Sequence, residues 1–504
     1  VAVPFEIPDD ERLTQDEILA LANYASTRLT EQLDDLEYYR DYYDNEQDLN
    51  YATTEFVRAF GAQFEGFSAN LCEIVVDAVE ERIDLDRILF RDENGEVAEE
   101  ASDRIWTTLH QNRFETLQND LYNRALVEGR SAVIVWPDPV LGARIDVQDP
   151  QNVLVVYDSD DNRKVAYAIK RWVTNTGEVR LNLYLPDYLY KFRSSGRRHL
   201  ASVNDEAERR QAASEASGFE PRPPEETGDP SWPLPNPFGE VPVVEFYGRK
   251  RRSELLNITP LQDMLNKFLV NMSVTGDFGA YRQKYIVSSN TEPDGGWKSS
   301  PGYVWHLMPE VDVEGKPLPT QIGSLEETDP RGYVLILESL LQLITTISKT
   351  PTYYFFQTSK AGGRGDAPSG DSLRVTETGL IKKCEKLMES WSPQWVQVGR
   401  LIWKAIGDSS LPDVGECSWA NPQAQFMAML LEEGRRMVED LQLPPEMAWR
   451  HIGLSERQIQ EARAWRDENQ PLGQVVTRVN VIEEEPTPEN VELSQSAVPN
   501  AAQQ

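Results

Sequence analysis

Asp329-Pro-Arg-Gly-Tyr-Val-Leu-Ile-Leu-Glu-Ser-Leu-Leu-Gln-Leu-Ile-Thr-Thr-Ile-Ser-Lys349 decides how this chain folds. It begins at Asp329-Pro330, a helix start. Tyr333, Ile336, Leu337, Leu340, Leu341, Ile344 and Ile347 then cover much of its circumference, with Glu338 the only interior charge. A helix apolar on so many sides is predicted to be enclosed by neighbours on several of them, and it is too short to span a bilayer. Upstream, Thr259-Pro260 opens another helix through Leu261, Leu265, Phe268 and Met272, ending near Phe278. Strand-like pieces between the two (Tyr285 to Ser288, Gly302 to Met308) lie among glycines and prolines and read as a small insert. Downstream, the loop Gln357 to Asp371 holds four glycines. Leu373 to Ile406 then reads as one long helix, with Pro393 removing a backbone bond and kinking it near Glu389.

Towards the N-terminus the first fifty residues carry 14 acidic and 3 basic side chains, while Ile18, Leu21, Ala22, Ala25, Leu29, Leu33 and Leu36 recur at helical spacing. The pattern predicts one acidic amphipathic helix. Tyr38, Tyr39, Tyr42 and Tyr43 continue it into a core or subunit contact before Asp44-Asn45-Glu46 breaks it. Asn70 to Ile83 and Ala101 to Val127 read as helices, the second feeding the apolar run Ser131 to Trp136, closed by Pro137. Val153 to Tyr157, Val165 to Trp172 and Val179 to Leu185 alternate with Asp, Asn and Gly turns and predict an antiparallel sheet. Seven prolines in Gly218 to Gly239 predict a long surface excursion separating two blocks, followed by the strand Val241 to Tyr247. From Asn421-Pro422 the pattern gives three helices, the last opened by a Ser455/Gln458 capping box. Beyond Gln474 the chain is polar, acidic and aperiodic, which predicts disorder.

A length of 504 residues allows about three domains. The formal charge of −33 repels phosphates and anionic lipids, which argues against a nucleic-acid-gripping protein. Cys72, Cys384 and Cys417 are too few and too far apart for a disulfide framework or a local zinc pair, so a reducing birthplace fits. Val1 to Pro8 lacks a basic stretch followed by an apolar core; the expectation is a soluble, unprocessed chain with no membrane partner.

Chemical motifs are weak. Asp158-Ser-Asp-Asp-Asn162 starts like a calcium loop, but Arg163 and Ile169 occupy the positions of the essential glycine and glutamate, so an acidic turn is expected. Gly365 to Ser372 has phosphate-loop spacing, yet Asp371 replaces the lysine. Arg364-Gly-Asp366 is a three-residue coincidence. His110, His199, His306 and His451 have no helical pairing, and no nucleophile elbow is present. Pro444 to Asp467 outlines a helix-turn-helix whose second helix balances its arginines with acids, so helix packing is expected. No catalytic, cofactor or metal set emerges.

Taken in order, YYDNEQ within 38 to 47, NLCEIVVDAVEERI (70 to 83), ALVEGRSAVIVW (125 to 136), DPQNVLVVYDSDDNRKVAYAIKRW (149 to 172), NPFGEVPVVEF (236 to 246), SELLNITPLQDMLNK (253 to 267) and PSGDSLR (368 to 374) resemble the portal proteins of tailed bacteriophages, nearest the siphophages of Gram-positive hosts. The resemblance runs from about residue 35 to 470. Arg252 stands where the family usually has a glycine, which puts the local turn in question.

The resemblance implies an α+β fold with an α+β wing (1–257), a stem helix (258–284), a small α/β clip (285–328), a returning stem helix (329–348), a tunnel loop (349–372), a kinked helix with wing return (373–419), a helical crown (420–473) and a disordered tail (474–504). It implies a dodecameric ring at the capsid portal vertex of the virion, assembled in the host cytoplasm. Through it a large terminase drives double-stranded DNA without sequence preference, and it meets the major capsid protein, scaffold, head-completion adaptor and tail proteins. It also puts Lys349, Lys360 and Arg364 in the DNA channel. Two other readings stay open: a different ring or scaffold component, or an enzyme whose site residues are far apart in sequence.

Overall fold

The computed structural model describes residues 13–47, 68–92, 95–197, 206–214, 216, 218–280, 284–287, 314, 321–324, 331–355, 370–407, 414–423, 427–454 and 456–469. They fall into two compact units, Val1–Gln423 and Ala424–Gln504.

Helix α1 (Gln15–Thr30) starts with a capping box between Thr14 and Glu17, and α2 (Leu33–Asp44) ends at left-handed Asn45. The single helix expected here is broken at Glu31-Gln32. The stripe serves two cores: Ile18 to Leu29 pack on a sheet, whereas Tyr42 enters the central core, so the chain has to turn between them. Then follow α3 (Cys72–Glu80), β1 (Leu85–Arg91), α4 (Glu99–Gln111) and α5 (Phe114–Val127). The expected helix 101–127 is also two helices. Asn112 pins the break by donating to Ala143 O (2.9 Å) and accepting from Ile145 N (3.0 Å), and Arg113 turns left-handed.

Strands β2 (Arg130–Asp138) and β3 (Gly142–Gln148) form a hairpin. The antiparallel sheet read from sequence is present as β4 (Val153–Tyr157), β5 (Val165–Val173), β6 (Glu178–Tyr184) and β7 (Tyr188–Arg197). Tyr167, Ile169, Leu181, Leu183 and Phe192 face α1, and Ala168, Tyr184 and Leu189 face the β2 sheet, the alternation a two-sided sheet demands. Arg171, 1% exposed, reaches the last turn of α1, donating from Nη1 to Ser26 O, Ser26 Oγ and Thr30 Oγ1. A cation there meets the negative end of the helix dipole. The β4–β5 connection is the acidic turn expected: Asp158 accepts the amides of Asp160 (2.8 Å) and Asp161, which hold its carboxyl below the usual range.

After α6 (Glu206–Ser214), the proline-rich segment is not an excursion separating two blocks. It supplies β8 (Phe219–Pro221), the single turn α7 (Pro224–Thr227) and β9 (Leu234–Pro235), with β8 and β9 both pairing with β7. Prolines suit an edge because no donor is needed on the outer side, and Trp232 Nε1 donates to Lys191 O (3.0 Å). Strand β10 (Val243–Tyr247) returns to β2, giving the sheet order β10-β2-β3. Gly129 explains how the chain tolerates Arg252. With φ +81°, Gly129 lies so close to the Arg252 backbone that a Cβ would come within 2.7 Å, while Arg252 itself is extended and needs no glycine.

Helix α8 (Thr259–Ala280), strands β11 (Lys284–Val287) and β12 (Gln321–Ser324), paired antiparallel, and α9 (Arg331–Ser348) follow. The expected strand Gly302 to Met308 lies outside the described residues. Helix α10 (Gly370–Ile406) contains Pro393 and buries Trp391 and Trp395 at the centre of the first unit. Trp391 stacks on Tyr122 at 4.8 Å and donates to Tyr247 O (3.0 Å); Trp395 donates to Tyr122 OH (2.9 Å). Strand β13 (Val414–Trp419) pairs with β1. Cys72, Cys384 and Cys417 are free thiols. The second unit contains α11 (Met427–Glu439), α12 (Pro445–His451) and α13 (Glu456–Asn469), the three helices expected; Ser455 lies outside the described residues.

Candidate functional site

Helix α8 is rooted in the first unit by polar side chains. Gln262 and Asn266, both buried, accept from Leu71 N and Ala69 N (3.1 Å each), and Tyr42 OH donates to Asp263 Oδ1 (2.8 Å). Burial and the Asp263 carboxylate push the Tyr42 phenol up; burial also raises Asp263, against the pull of that bond. Tyr38 reaches Thr259 Oγ1 (3.2 Å) and Tyr43 reaches Asp77 of α3 (2.9 Å). Most of the tyrosine cluster is therefore a clasp on the root of α8 and on α3, the core role its apolar face suggested.

Helix α9 packs along α8, with Phe268 against Tyr333 at 6.4 Å and Thr275 Oγ1 bonded to Tyr333 OH (3.4 Å). It is not enclosed on several sides as its sequence predicts. Leu340, Ile344 and Ser348 are buried, but Val334, Leu335, Ile336, Leu343 and Ile347 are 45%, 64%, 38%, 49% and 45% exposed. At 100° per residue Ile336, Leu343 and Ile347 form one stripe beside the buried one. The far side presents Glu338, Ser339, Gln342, Thr345 and Thr346, whose hydroxyls donate back to helix carbonyls at 2.7 to 2.9 Å.

Of the three channel residues named from sequence, Lys349 directly follows α9. It is exposed, its backbone left-handed (φ +62°), and its side chain lies along Gly379. Lys360 and Arg364 lie outside the described residues.

Sequence reading passed over Arg82, which holds the described ends of that connection. Its Nε donates to Tyr354 OH (3.0 Å), Nη1 to Pro422 O (2.8 Å), and Nη2 to Tyr353 OH (3.4 Å) and Glu377 Oε1 (3.1 Å). Burial opposes its charge, but the Tyr354 hydroxyl and the Glu377 carboxylate outweigh it and raise the guanidinium pKa. Tyr353 also bonds Glu377 directly, and burial with that carboxylate raises its phenol. The signal available was Arg82's place inside NLCEIVVDAVEERI.

Carboxyls with raised pKa are present but structural. Burial raises Asp77 and Glu80, which bond Tyr43 and Asn123 beside a 300 Å³ hollow. Glu128 is pushed up to about 7 by burial and by nearby Asp149, and it pairs with Arg40 (3.0 Å). Among the described residues no group of three or more His, Cys, Asp and Glu could hold a metal ion, and no helix is long and apolar enough to cross a membrane.

The chain is mixed α+β, with the apolar stripe Ile336, Leu343 and Ile347 left open on one of two paired helices, the kind of surface that marks an interaction site. The family described as phage portal protein, SPP1 Gp6-like, matches residues 23–472, and the chain belongs to it. It is 23% identical to the portal protein of Mycobacterium phage L5 over 428 residues, 79% of each chain. It is also 23% identical to the portal protein of Mycobacterium phage D29 over 256 residues, 47% of this chain and about half (51%) of the D29 protein.

Proposed function

We propose that copies of this chain close into a dodecameric ring at one capsid vertex, forming the channel through which DNA is packaged and later ejected. The single observation carrying this reading is the open stripe Ile336, Leu343 and Ile347 on α9, together with family membership. A repeated head-to-tail contact covers such a stripe on every copy. In this reading 1–257 is the wing, 258–284 and 329–348 are the stem, 285–328 the clip, 349–372 the tunnel loop, 373–419 the kinked helix with wing return, and 420–473 the crown. The ring docks the large terminase, major capsid protein, scaffold, head-completion adaptor and tail proteins, in the host cytoplasm during assembly and then in the virion. The chain performs no catalysis; the motor supplies the energy.

The charge suits the task. A body of net charge −33 repels duplex phosphates, so DNA slides without adhering. Rings of Lys349, Lys360 and Arg364 provide transient phosphate contact. Acidic copies also repel one another, and salt screens that repulsion within about 8 Å at physiological strength, so ring formation rises from low to moderate salt. Negative-stain microscopy and sedimentation across salt test the reading: closed rings are expected, and monomers or dimers under every condition, with scaffold supplied, would overturn it. Replacing Lys360 and Arg364 by glutamate is expected to leave rings intact and impair DNA packaging or retention. Unchanged packaging removes both residues from the mechanism, and lost rings assign them to a subunit contact.

A further inference from the structure

Arg82 lies just beyond the last turn of α3, and its side chain is only 10% exposed. A charge so placed loses its hydration and is stable only if its N–H groups are received by the protein. A guanidinium is planar, so the directions of Nε, Nη1 and Nη2 are fixed relative to one another, and groups that accept from them are fixed in turn. Tyr354 OH accepts from Nε (3.0 Å), Pro422 O from Nη1 (2.8 Å), and Tyr353 OH (3.4 Å) with Glu377 Oε1 (3.1 Å) from Nη2. These partners lie 271 to 340 residues from Arg82 in sequence.

The receiving side is shaped for this contact. Thr352–Tyr354 is a single 3-10 turn in which no residue is fully buried, so its polar tips share in deciding where it sits. Tyr353 and Tyr354 stack at 4.9 Å and direct both hydroxyls to the one guanidinium. Glu377 is buried on α10 between exposed Thr376 and Thr378. A carboxylate buried on an otherwise exposed stretch of helix costs desolvation, which Arg82 and Tyr353 offset by receiving it. Further along α10, Lys383 donates to Ser348 O (3.2 Å) and pairs with Glu254 (2.7 Å), so the end of α9 is tied to the same helix.

The chain between Phe355 and Gly370 therefore leaves and re-enters the body at two anchors that touch each other: Tyr353 bonds Glu377 directly, 24 positions apart, and both bond the same nitrogen of Arg82. Holding the ends of a connection together opposes the chain entropy that spreads them. Lysine could not do the same, because a single ammonium has no fixed fork and cannot set three directions at once.

We propose that Arg82 is a positioning residue for DNA passage. By fixing Tyr353, Tyr354 and Glu377 it sets where the connection between Phe355 and Gly370 starts and ends against the body. Through Pro422 it ties both anchors to the segment at which the first unit ends. It acts through these side chains and not by contacting DNA. The proposal rests on the reading that places this connection in the channel.

Two variants of the full chain test this. Arg82→Lys keeps a charge beside Glu377 and loses the fork; Tyr353→Phe with Tyr354→Phe keeps the Arg82–Glu377 pair and removes only the hydroxyls, at little risk to folding. In both, hydrogen exchange of the Tyr354 and Phe355 amides, which bond Pro351 O and Thr352 O, is expected to speed up about tenfold while the six-stranded sheet is unchanged. Rings should form, and the DNA packaged or retained per particle should fall severalfold. Lys191→Met, which breaks a pair with Asp229 at the proline-dressed sheet edge, is the control for lost stability and should package normally. Unchanged exchange in the double tyrosine variant overturns the clamp. Faster exchange with normal packaging, or an equal packaging loss in the control, overturns the positioning role, and lost rings assign the cluster to a subunit contact instead. If Lys360→Glu with Arg364→Glu impairs packaging and the tyrosine variant does not, this inference fails and the channel reading stands. If the unaltered chain forms no rings, the ring reading fails, and the exchange measurement still decides whether Arg82 holds the two ends.

Discussion

Along β5, Tyr167 and Ile169 lie fully covered beneath α1, while along α9 Leu335 and Leu343 stand about half or more in solvent, although both segments are equally rich in large apolar side chains. The sheet finds its cover in the same chain: α1 on one face and the β2 sheet on the other. The helix pair finds only half of its cover, since α8 and the central core take one stripe of α9 and leave the adjacent one open. Each buried Å² of apolar surface contributes about 25 cal/mol, so the sheet's contribution goes to the subunit and that of the α9 stripe is available to assembly. One region therefore governs whether a copy folds, the other whether copies meet.

The sharpest way to break this contrast is to charge the open stripe. Leu343→Glu with Ile347→Glu is expected to abolish ring formation in sedimentation while leaving the melting temperature of the isolated subunit nearly unchanged; intact rings would show that this stripe is not a subunit contact. Next in size, Leu183→Ala, at a fully buried position of the sheet, should lower subunit stability by about 3 kcal/mol in denaturant titration. Copies that remain folded should still assemble. If the two substitutions exchanged their effects, the contrast would be reversed.

Glu128 sharpens the same point from the polar side, because its cover consists of one partner, Arg40, and its second oxygen is buried without a bond. Its folded pKa of about 7 lies above the ordinary glutamate value. The folded state thus holds the proton more tightly, so the stabilising contribution is fully present below the unfolded pKa of about 4.3 and is lost as pH rises to 7. Glu128→Gln should flatten the stability profile between pH 5 and 8 by up to roughly 3 kcal/mol. A profile parallel to that of the unaltered chain would show that the carboxyl titrates normally. The smallest effect is expected from removing residues 474–504, polar and acidic in sequence: ring formation and melting temperature should hardly move, and a fall of several degrees would reveal a docked segment.

What could be read from sequence was local. β4 was placed residue for residue and β5 and β6 within one residue, because period-two alternation bounded by turn residues is written in adjacent positions. The long helix was recognised with its proline and its end at Ile406, and Thr259-Pro260 marked the start of α8. The collinear order of short segments was enough to suggest the portal family, since it needs no knowledge of contacts. The candidate site was less legible. Lys349 was placed at the end of α9, but Arg82, which grips Tyr353, Tyr354 and Glu377 across nearly three hundred residues of chain, carries no local mark apart from lying in a resembling segment.

Tertiary structure decided the rest. A helical stripe states which side of a helix is apolar and is silent on what covers it, so the break at Glu31-Gln32, where one stripe is divided between two cores, could not be seen. Asn112 interrupts a helix because β3 offers backbone groups to bond, and prolines 221 to 235 dress a sheet edge because β7 is beside them. The open half of α9 is the same lesson in reverse. Its sequence by itself fixed a helix that must be covered on several sides; only the fold revealed that a single chain supplies part of that cover, because the number of neighbours a residue has is set by packing in space and not by its position in the chain.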